Sequence, residues 1–295
     1  KKKAKARAAT YVAREKKAPR RVRKGLKKLR KQIGKKKYKF QVAYTGAMDK
    51  PMGELVGLSL PPNAMGEAPK QNGRARKKLG GKNLMVRNLA RAKAKPRRMA
   101  KKDKGGLPGG LGSPVGTGSG TGNAPAALGS GDFEDLCSPS ANAFSWNDQL
   151  TPIRNQGACG SCWAFAAVGT LEASNAIING GQPDLAEQHA LSCSGGGNCS
   201  GGWYTPVYEW LDGGKDGLRT EKEVPYTSSN AKCSDSGSTP YEVETWGWVD
   251  PYSVQPSVDD MKAALCKYGV LTAAVAATPA FIAYGGGTFN EHSNT

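Results

Sequence analysis

A chain of 295 residues can form one or two domains with a sizeable core, but its net charge of +19 averages two unlike parts. Residues 1–110 carry 36 Lys and Arg against 5 Asp and Glu, and the remainder carries 7 against 19, so the net charges are +31 and −12. The sequence therefore indicates a basic arm joined to an acidic globular part. No apolar run approaches the ~18 residues that a membrane helix needs, and no membrane association is predicted.

The basic arm begins with a segment of helical potential. Apolar residues recur there at three- and four-residue spacing and predict a helix: Val22, Leu26, Leu29 and Ile33. Residues 37–45, KYKFQVAYT, alternate between polar and apolar side chains and predict a strand. Residues 48–63 predict a short helix followed by an extended exit through Pro61 and Pro62.

Residues 66–131 are rich first in Lys and Arg and then in Gly, Ser, Thr and Pro. They offer few apolar side chains to offset the entropy of ordering, which predicts a disordered linker between a propeptide-like region (1–65) and a globular region (132–295). The glycine run lacks the G-K-[ST] ending of a phosphate-binding loop, so that alternative is not favoured.

The sequence of the globular part, residues 132–295, predicts three helices and a strand. A helix rich in small and aromatic residues begins near Ser161 and ends at Gly180 or Gly181, and another lies near residues 206–212. A third helix follows Ser257, a good N-cap residue, and ends at Gly269. The apolar run VLTAAVAA, residues 270–277, predicts a buried strand.

Cys159 and Cys162 form a C-x-x-C pair with several possible uses. A zinc site would need Cys193 and Cys199 as well, but these are spaced C-x5-C and the surroundings suit a buried helix. A redox motif needs a preceding strand, for which the sequence is marginal. Purely structural thiols would leave the rest of this stretch unexplained.

A different role for each cysteine explains more of the stretch. Cys162 falls in the first helical turn, where free backbone N–H groups and the helix dipole favour a thiolate. The carboxamide of Gln156 and the N–H of Cys162 could donate to an oxyanion, while Cys159 is bridged elsewhere. All seven cysteines lie in the acidic part, and an odd number suggests bridges plus one free thiol.

The stretch QGACGSCWAF resembles the active-site segment of papain-like cysteine proteases, whose local signature is C-G-[SA]-C-[WY]. The later segments AEQHALSCSGGGNCSGGW, GLRTEKEVPYTSSNAKC and KYGVLTAAVAATPAFIAYGGGTF resemble further family segments in the same order, over residues 145–289. The resemblance implies an α+β fold with a helical left domain and a β-rich right domain, here truncated. It also implies a cysteine endopeptidase that hydrolyses peptide bonds through a thioester and needs no metal or other cofactor.

The resemblance assigns roles to individual residues. Cys162 is the expected nucleophile and Gln156 the oxyanion donor. The residues expected to bind substrate are a glycine strip with the edge opposite it and an apolar pocket: Gly201, Gly202, Gly160, Ser161, Trp203, Tyr204 and Ala273. Core packing is the alternative for Trp203. Two family bridges are expected, Cys159–Cys199 and Cys193–Cys233, and a third between Cys137 and Cys266 would leave Cys162 free.

The family's catalytic histidine and asparagine motifs are not found in this sequence. His189 lies within a predicted helix and is expected to be structural. His292 follows the GGGTF stretch more closely than the family pattern requires, and no small apolar strand comes after it. We therefore expect the chain to be a fragment that stops short of its base, with little hydrolysis of its own.

The order of elements in residues 1–65 loosely resembles the family's inhibitory propeptide, whose tail crosses the site backwards. The expected partners are peptide or protein substrates and the chain's own pro-region, in a monomer that is secreted or otherwise extracytoplasmic, and lysosomal in a eukaryote. The alternative is an inactive protease-like protein whose basic arm binds nucleic acid. That arm has few aromatic residues among its charges and no recognition-helix pattern.

Overall fold

The computed structural model describes residues 2–79, 137–212, 217–234 and 239–291. They form two compact units. The arm unit comprises residues 2–52 and 274–291, and the cysteine unit comprises the rest of the described residues. No helix in the described ranges is long and apolar enough to cross a membrane.

The helices are α1 (Lys2–Lys17), α2 (Arg20–Lys35), α3 (Met52–Leu55), α4 (Ala68–Leu79), α5 (Cys162–Asn179), α6 (Glu187–Cys193), α7 (Thr205–Asp212), α8 (Val258–Tyr268) and α9 (Pro279–Ile282). Two 3-10 turns lie at Gly46–Asp49 and Asn147–Gln149. The strands are β1 (Phe40–Val42), β2 (Gly197–Asn198), β3 (Gly201–Gly202) and β4 (Tyr284–Gly287). Helices with short antiparallel ladders, β1 with β4 and β2 with β3, place the chain in the α+β class.

The core of the arm unit lies between α2 and β1. The apolar row of α2 is directed inward, and its Leu26 is completely buried against Phe40 and Val42. Arg30 on α2 donates two hydrogen bonds of 2.6 Å to the carboxylate of Glu15 on α1. The helix and the strand predicted here are both confirmed, although the strand pairs over three residues only.

The core of the cysteine unit surrounds α5. Its inner face is made of Trp163 and small residues, which let α6 and α7 approach closely and bury Leu191 and Val207. The unit contains three disulfide bridges: Cys137–Cys266, Cys159–Cys199 and Cys193–Cys233. The resemblance implied the second and third of these pairs, and the first is the additional bridge expected for the two remaining cysteines.

Helix ends in this unit follow the local signals. The hydroxyl of Ser257 accepts the N–H of Asp260 at 3.0 Å and caps α8, and Gly269 ends that helix with φ +94°. Gly180 ends α5 with φ +72°. The predicted helices at 161–180, 206–212 and 257–268 are confirmed.

Two expectations are corrected. Residues 270–277 form no strand, and Val275 is 60% exposed. A strand needs a hydrogen-bonded neighbour, and none of the described strands pairs with these residues. The predicted disordered linker does not begin at residue 66, because α4 occupies Ala68–Leu79 and buries one face. Residues 80–131 of that linker lie outside the described residues.

Replacing Leu26 by Ala should destabilise the arm unit, because a cavity in a packed core costs about 2–5 kcal/mol. Hydrogen exchange followed by mass spectrometry should show faster exchange in residues 40–43, whose strand packs on this side chain. Val12→Ala, at a position that is 56% exposed, serves as the control. Unchanged protection in Leu26→Ala would contradict this view of the core.

Candidate active site

The C-x-x-C turn is held by its first cysteine and leaves its second cysteine free. Cys159 is bridged to Cys199, and the N–H of Gly160 donates to the carbonyl of Cys199 at 2.8 Å. Cys162 is the first residue of α5, is half-buried, and is the single cysteine of the seven without a bridge. The bridging of Cys159, Cys193 and Cys199 rules out the zinc and redox interpretations of the pair.

Gln156 lies on the turn that leads into this pair. Its Nε2 donates to the carbonyl of Cys159 at 3.0 Å and to the carbonyl of Glu54 at 3.2 Å. The turn requires Gly157, whose φ is +65°. The Gln156 carboxamide is therefore fixed by its own turn and is engaged by a carbonyl from elsewhere in the chain.

Two residues that the sequence did not single out support this turn. The hydroxyls of Tyr226 and Ser228 donate to the backbone carbonyl of Gln156 at 2.8 and 3.0 Å. Tyr226 also shares a 2.6 Å hydrogen bond with Ser161, and burial raises the pKa of its phenol, which keeps it a donor. The VPYTSS stretch, within a segment already compared with the family, was the available signal.

A segment of the basic part lies across the thiol. We call residues 53–60 the strap. The N–H of Gly57 donates to Sγ of Cys162 at 3.3 Å, and the carbonyl of Gly57 accepts the N–H of Gly202 at 2.7 Å. The N–H of Ser59 donates to the carbonyl of Gly202 at 2.8 Å, so the strap runs parallel to β3.

Glycines let the strap approach this closely. A Cβ on Gly57 would lie 1.7 Å from the carbonyl oxygen of Gly160. A Cβ on Gly202 would lie 2.6 Å from the indole ring of Trp163 beneath it. Any side chain at either position would displace the strap or β3.

The structure brings Cys162, Gln156, Gly160, Gly201 and Gly202 together around the strap.

The other residues expected to bind substrate have different surroundings. The side chain of Ser161 is buried and bonded to Tyr226, and Trp203 is buried and stacked on Tyr204 with ring centroids 4.2 Å apart. This position of Trp203 fits the core-packing alternative. Ala273 is exposed in the irregular segment, and its pocket role stays a prediction.

The histidines do not complete the site in the described residues. His189 on α6 is fully buried, and its Nδ1 accepts the N–H of Arg219 at 3.2 Å. Its ring meets the edge of Trp210, with centroids 5.0 Å apart, as expected for a structural residue. His292 lies outside the described residues.

A free thiol at a helix N-terminus, beside a fixed carboxamide and a backbone edge that pairs with an extended peptide, is the arrangement of a thiol-dependent acyl-transfer enzyme. Residues 140–295 match the model of the papain family cysteine proteases. The chain belongs to this family.

The relatives match the chain in part. The chain is 32% identical over 156 residues to a cathepsin L-like proteinase of Phaedon cochleariae. The alignment covers 51% of this chain and 46% of that protein. Cysteine proteinase 6 of Dictyostelium discoideum is 34% identical over 158 residues, with 51% and 36% covered. Zingipain-1 of Zingiber officinale is 31% identical, with 52% and 69% covered. The chain thus spans less than half the length of the first two proteins.

A solved structure of bromelain from Ananas comosus with the inhibitor E64 is 35% identical to the aligned part of the chain. The TM-score is 0.31, and the alignment covers 32% of this chain and 45% of bromelain. A recombinant stem bromelain precursor gives 28% identity and a TM-score of 0.33, with 41% and 39% covered.

Two buried carboxylic acids lie on α5 and at the start of α6. Glu172 accepts the N–H of Leu185 at 2.7 Å and the hydroxyl of Thr151. Glu187, at the start of α6, is 4% exposed. Burial raises the pKa of Glu172, and it raises the pKa of Glu187 from 4.5 to about 7. Neither residue was singled out from the sequence.

The raised pKa of Glu187 should make the cysteine unit more stable in acid. A carboxyl with a higher pKa in the folded chain holds its proton only when folded, so the free energy of unfolding falls as pH rises from about 4.5 to about 7. Relative to Glu187→Gln, the wild-type chain should lose about 2–3 kcal/mol across this range. Urea unfolding followed by Trp fluorescence at several pH values measures the difference.

Glu209→Gln is the matched control, since Glu209 is exposed on α7. A constant difference between wild type and Glu187→Gln from pH 4 to pH 8 would show that burial does not shift this carboxyl.

Proposed function

We propose that this chain carries the nucleophile and oxyanion-hole part of a cysteine peptidase made as an inactive precursor. The observation that carries the proposal is that Cys162 and Gln156 both contact one segment, the strap, through Gly57 and through Glu54 at the end of α3. A bound substrate would lie against the same two groups. Family membership supports the reaction class.

The chemistry follows from these groups. The sulfur of Cys162 forms a bond to the substrate carbonyl carbon, and the negative charge passes to the carbonyl oxygen. Nε2 of Gln156 and the N–H of Cys162 donate to that oxygen. The C–N bond then breaks, the amine leaves with a proton from an acid, and water hydrolyses the thioester. Among the described residues only His189 is a histidine, and it is buried in the core, so we place the acid–base residue outside them.

The strap is proposed as the chain's own inhibitor. Two features support this. The N–H of Gly57 donates to the sulfur of Cys162, so the strap occupies the thiol directly. The strap also pairs with β3 in the parallel direction, and the family resemblance implies that an inhibitory propeptide tail crosses the site backwards. The strap therefore occupies the substrate position without being cut.

The disulfide bridges and the family membership also suggest a compartment and partners. Three disulfide bridges suit an oxidising compartment, so we propose a secreted or lysosome-like location. We also propose a monomer that acts on peptide or protein substrates.

Hydrolysis of an unfolded protein substrate tests the function, using the protein with every encoded residue after position 291 present and with Gly57→Leu in every variant, because a side chain at Gly57 displaces the strap from the site. Turnover should disappear in Cys162→Ala, and Gln156→Ala should lower kcat by about 10²–10³-fold, because one donor to the oxyanion is lost. Gln255→Ala, at an exposed position, should leave turnover unchanged. Turnover that survives in Cys162→Ala would refute the proposal, and His292→Ala shows whether that histidine is the base.

A further inference from the structure

Helix α4 follows the strap and packs against the rest of the cysteine unit. Its buried residues are Ala68, Gln71, Ala75 and Leu79, spaced as one face of a helix. Its outer face is basic, with Arg74, Arg76, Lys77 and Lys78 exposed. Residues of this composition were expected to be disordered, so the contact itself needs an explanation.

The contact is a set of hydrogen bonds between side-chain amides and one backbone strip. Nδ2 of Asn72 donates to the carbonyl of Trp248 at 2.9 Å, and Oδ1 of Asn72 accepts the N–H of Trp248 at 2.8 Å. Nε2 of Gln71 donates to the carbonyl of Trp246 at 2.8 Å, and its Oε1 accepts Nε of Arg74 at 2.9 Å. The Asn72 carboxamide thus pairs with Trp248 as a backbone amide does in an antiparallel ladder.

Gln71 is 3% exposed, and both ends of its amide are bonded. A buried amide without partners would oppose docking, so this arrangement selects a helix with the correct polar pair. An apolar helix could fill the same space but would leave the carbonyl of Trp246 and both groups of Trp248 unpaired. The strip is therefore selective for an adjacent Gln–Asn pair.

Two further residues of the cysteine unit, Gly247 and Asp212, fit this helix. Gly247 lies between the two tryptophans, and a Cβ there would be 2.9 Å from Oδ1 of Asn72 and 3.8 Å from Cβ of Ala75. At the far end of α4, Lys78 forms an ion pair of 2.6 Å with Asp212 at the end of α7. The pair is partly exposed and contributes little stability, but it fixes the end of the helix.

A short connection joins α4 to the strap. Residues 61–67 begin with two prolines and continue as successive turns, in which Ala64 donates to Pro61, Gly66 to Asn63 and Ala68 to Met65 at 3.0–3.1 Å. A compact tether of seven residues keeps the strap at high local concentration near Cys162 whenever α4 is docked. Loss of α4 would remove this advantage even though no strap contact is changed.

We propose that the strip formed by Trp246, Gly247 and Trp248 is a docking surface for α4, and that α4 is a second anchor that keeps the strap over Cys162. The inference rests on the proposed inhibitory role of the strap. It adds a site within the cysteine unit, away from the thiol, whose ligand is a helix with a Gln–Asn pair. Closure of the active site then depends on side chains that never touch it.

The rate at which iodoacetamide alkylates Cys162 in the full chain tests the proposal without any peptidase activity. Cys162 is the one unbridged cysteine, so intact mass counts a single label. The observed rate reports the fraction of time that the strap is open. Gln71→Ala with Asn72→Ala should raise this rate by about tenfold or more, since three hydrogen bonds to the strip are lost. From the other side of the contact, Gly247→Leu should raise it similarly.

Matched variants separate docking from general damage. Asn72→Asp keeps the acceptor for the N–H of Trp248 but loses the donor, so it should also raise the rate. Lys77→Ala on the exposed face should leave the rate unchanged. A variant that misfolds is recognised because unformed bridges add further labels, and it is replaced by the variant on the other side of the contact.

Gly57→Leu acts on the strap directly and should raise the rate whether or not α4 is an anchor. If Gly57→Leu raises the rate while the α4 and Gly247 variants match the wild type, the second anchor is refuted and the proposed function stands. If no variant raises the rate, the strap does not close the site, and the inhibitory role fails together with this inference.

Discussion

The site depends on the fixing of one short turn, residues 156–161, immediately before the helix that carries the thiol. The Cys159–Cys199 bridge and the Gly160 N–H hold one side of the turn, while Tyr226 and Ser228 hold the carbonyl of Gln156 on the other. A helix N-terminus can favour an anion only where its direction is set, and an oxyanion donor is useful only where it does not move. The remaining features of the site are arranged around this turn.

The second constraint is close approach of backbones. The strap, Gly160 and β3 meet through peptide groups, and glycine is needed at Gly57 and Gly202 because Gly160 and Trp163 leave no room for a Cβ. Recognition through backbone hydrogen bonds does not depend on side-chain identity, so it suits both a strap and varied peptide substrates. In the proposed inhibition, the strap differs from a substrate in the group that contacts the sulfur, which is the N–H of Gly57.

Features set by local chemistry could be predicted from the sequence. The N-cap residue Ser257 and the glycines at the helix ends predicted the bounds of α5 and α8. The motif around Cys162 identified that residue and Gln156 as candidates for the nucleophile and the oxyanion donor. Features set by distant partners could not. Residues 270–277 have the composition of a strand but no described neighbour to pair with, and α4 has the composition of a linker but a partner strip near residue 247. Tyr226 and Ser228 support Gln156 across some 70 residues, a relation that no periodicity reveals.

Helix α4 shows why composition failed. Burial by apolar area would require a face of large apolar side chains, and α4 instead buries two alanines, a leucine and a glutamine. Its stability comes from amides that satisfy backbone groups, which count as polar in any hydropathy pattern. The strap and α4 therefore contact the rest of the cysteine unit by different chemistry, the strap through its own backbone and α4 through side-chain amides. Such contacts can change independently in evolution, because a substitution at Asn72 alters none of the groups that contact Gly57.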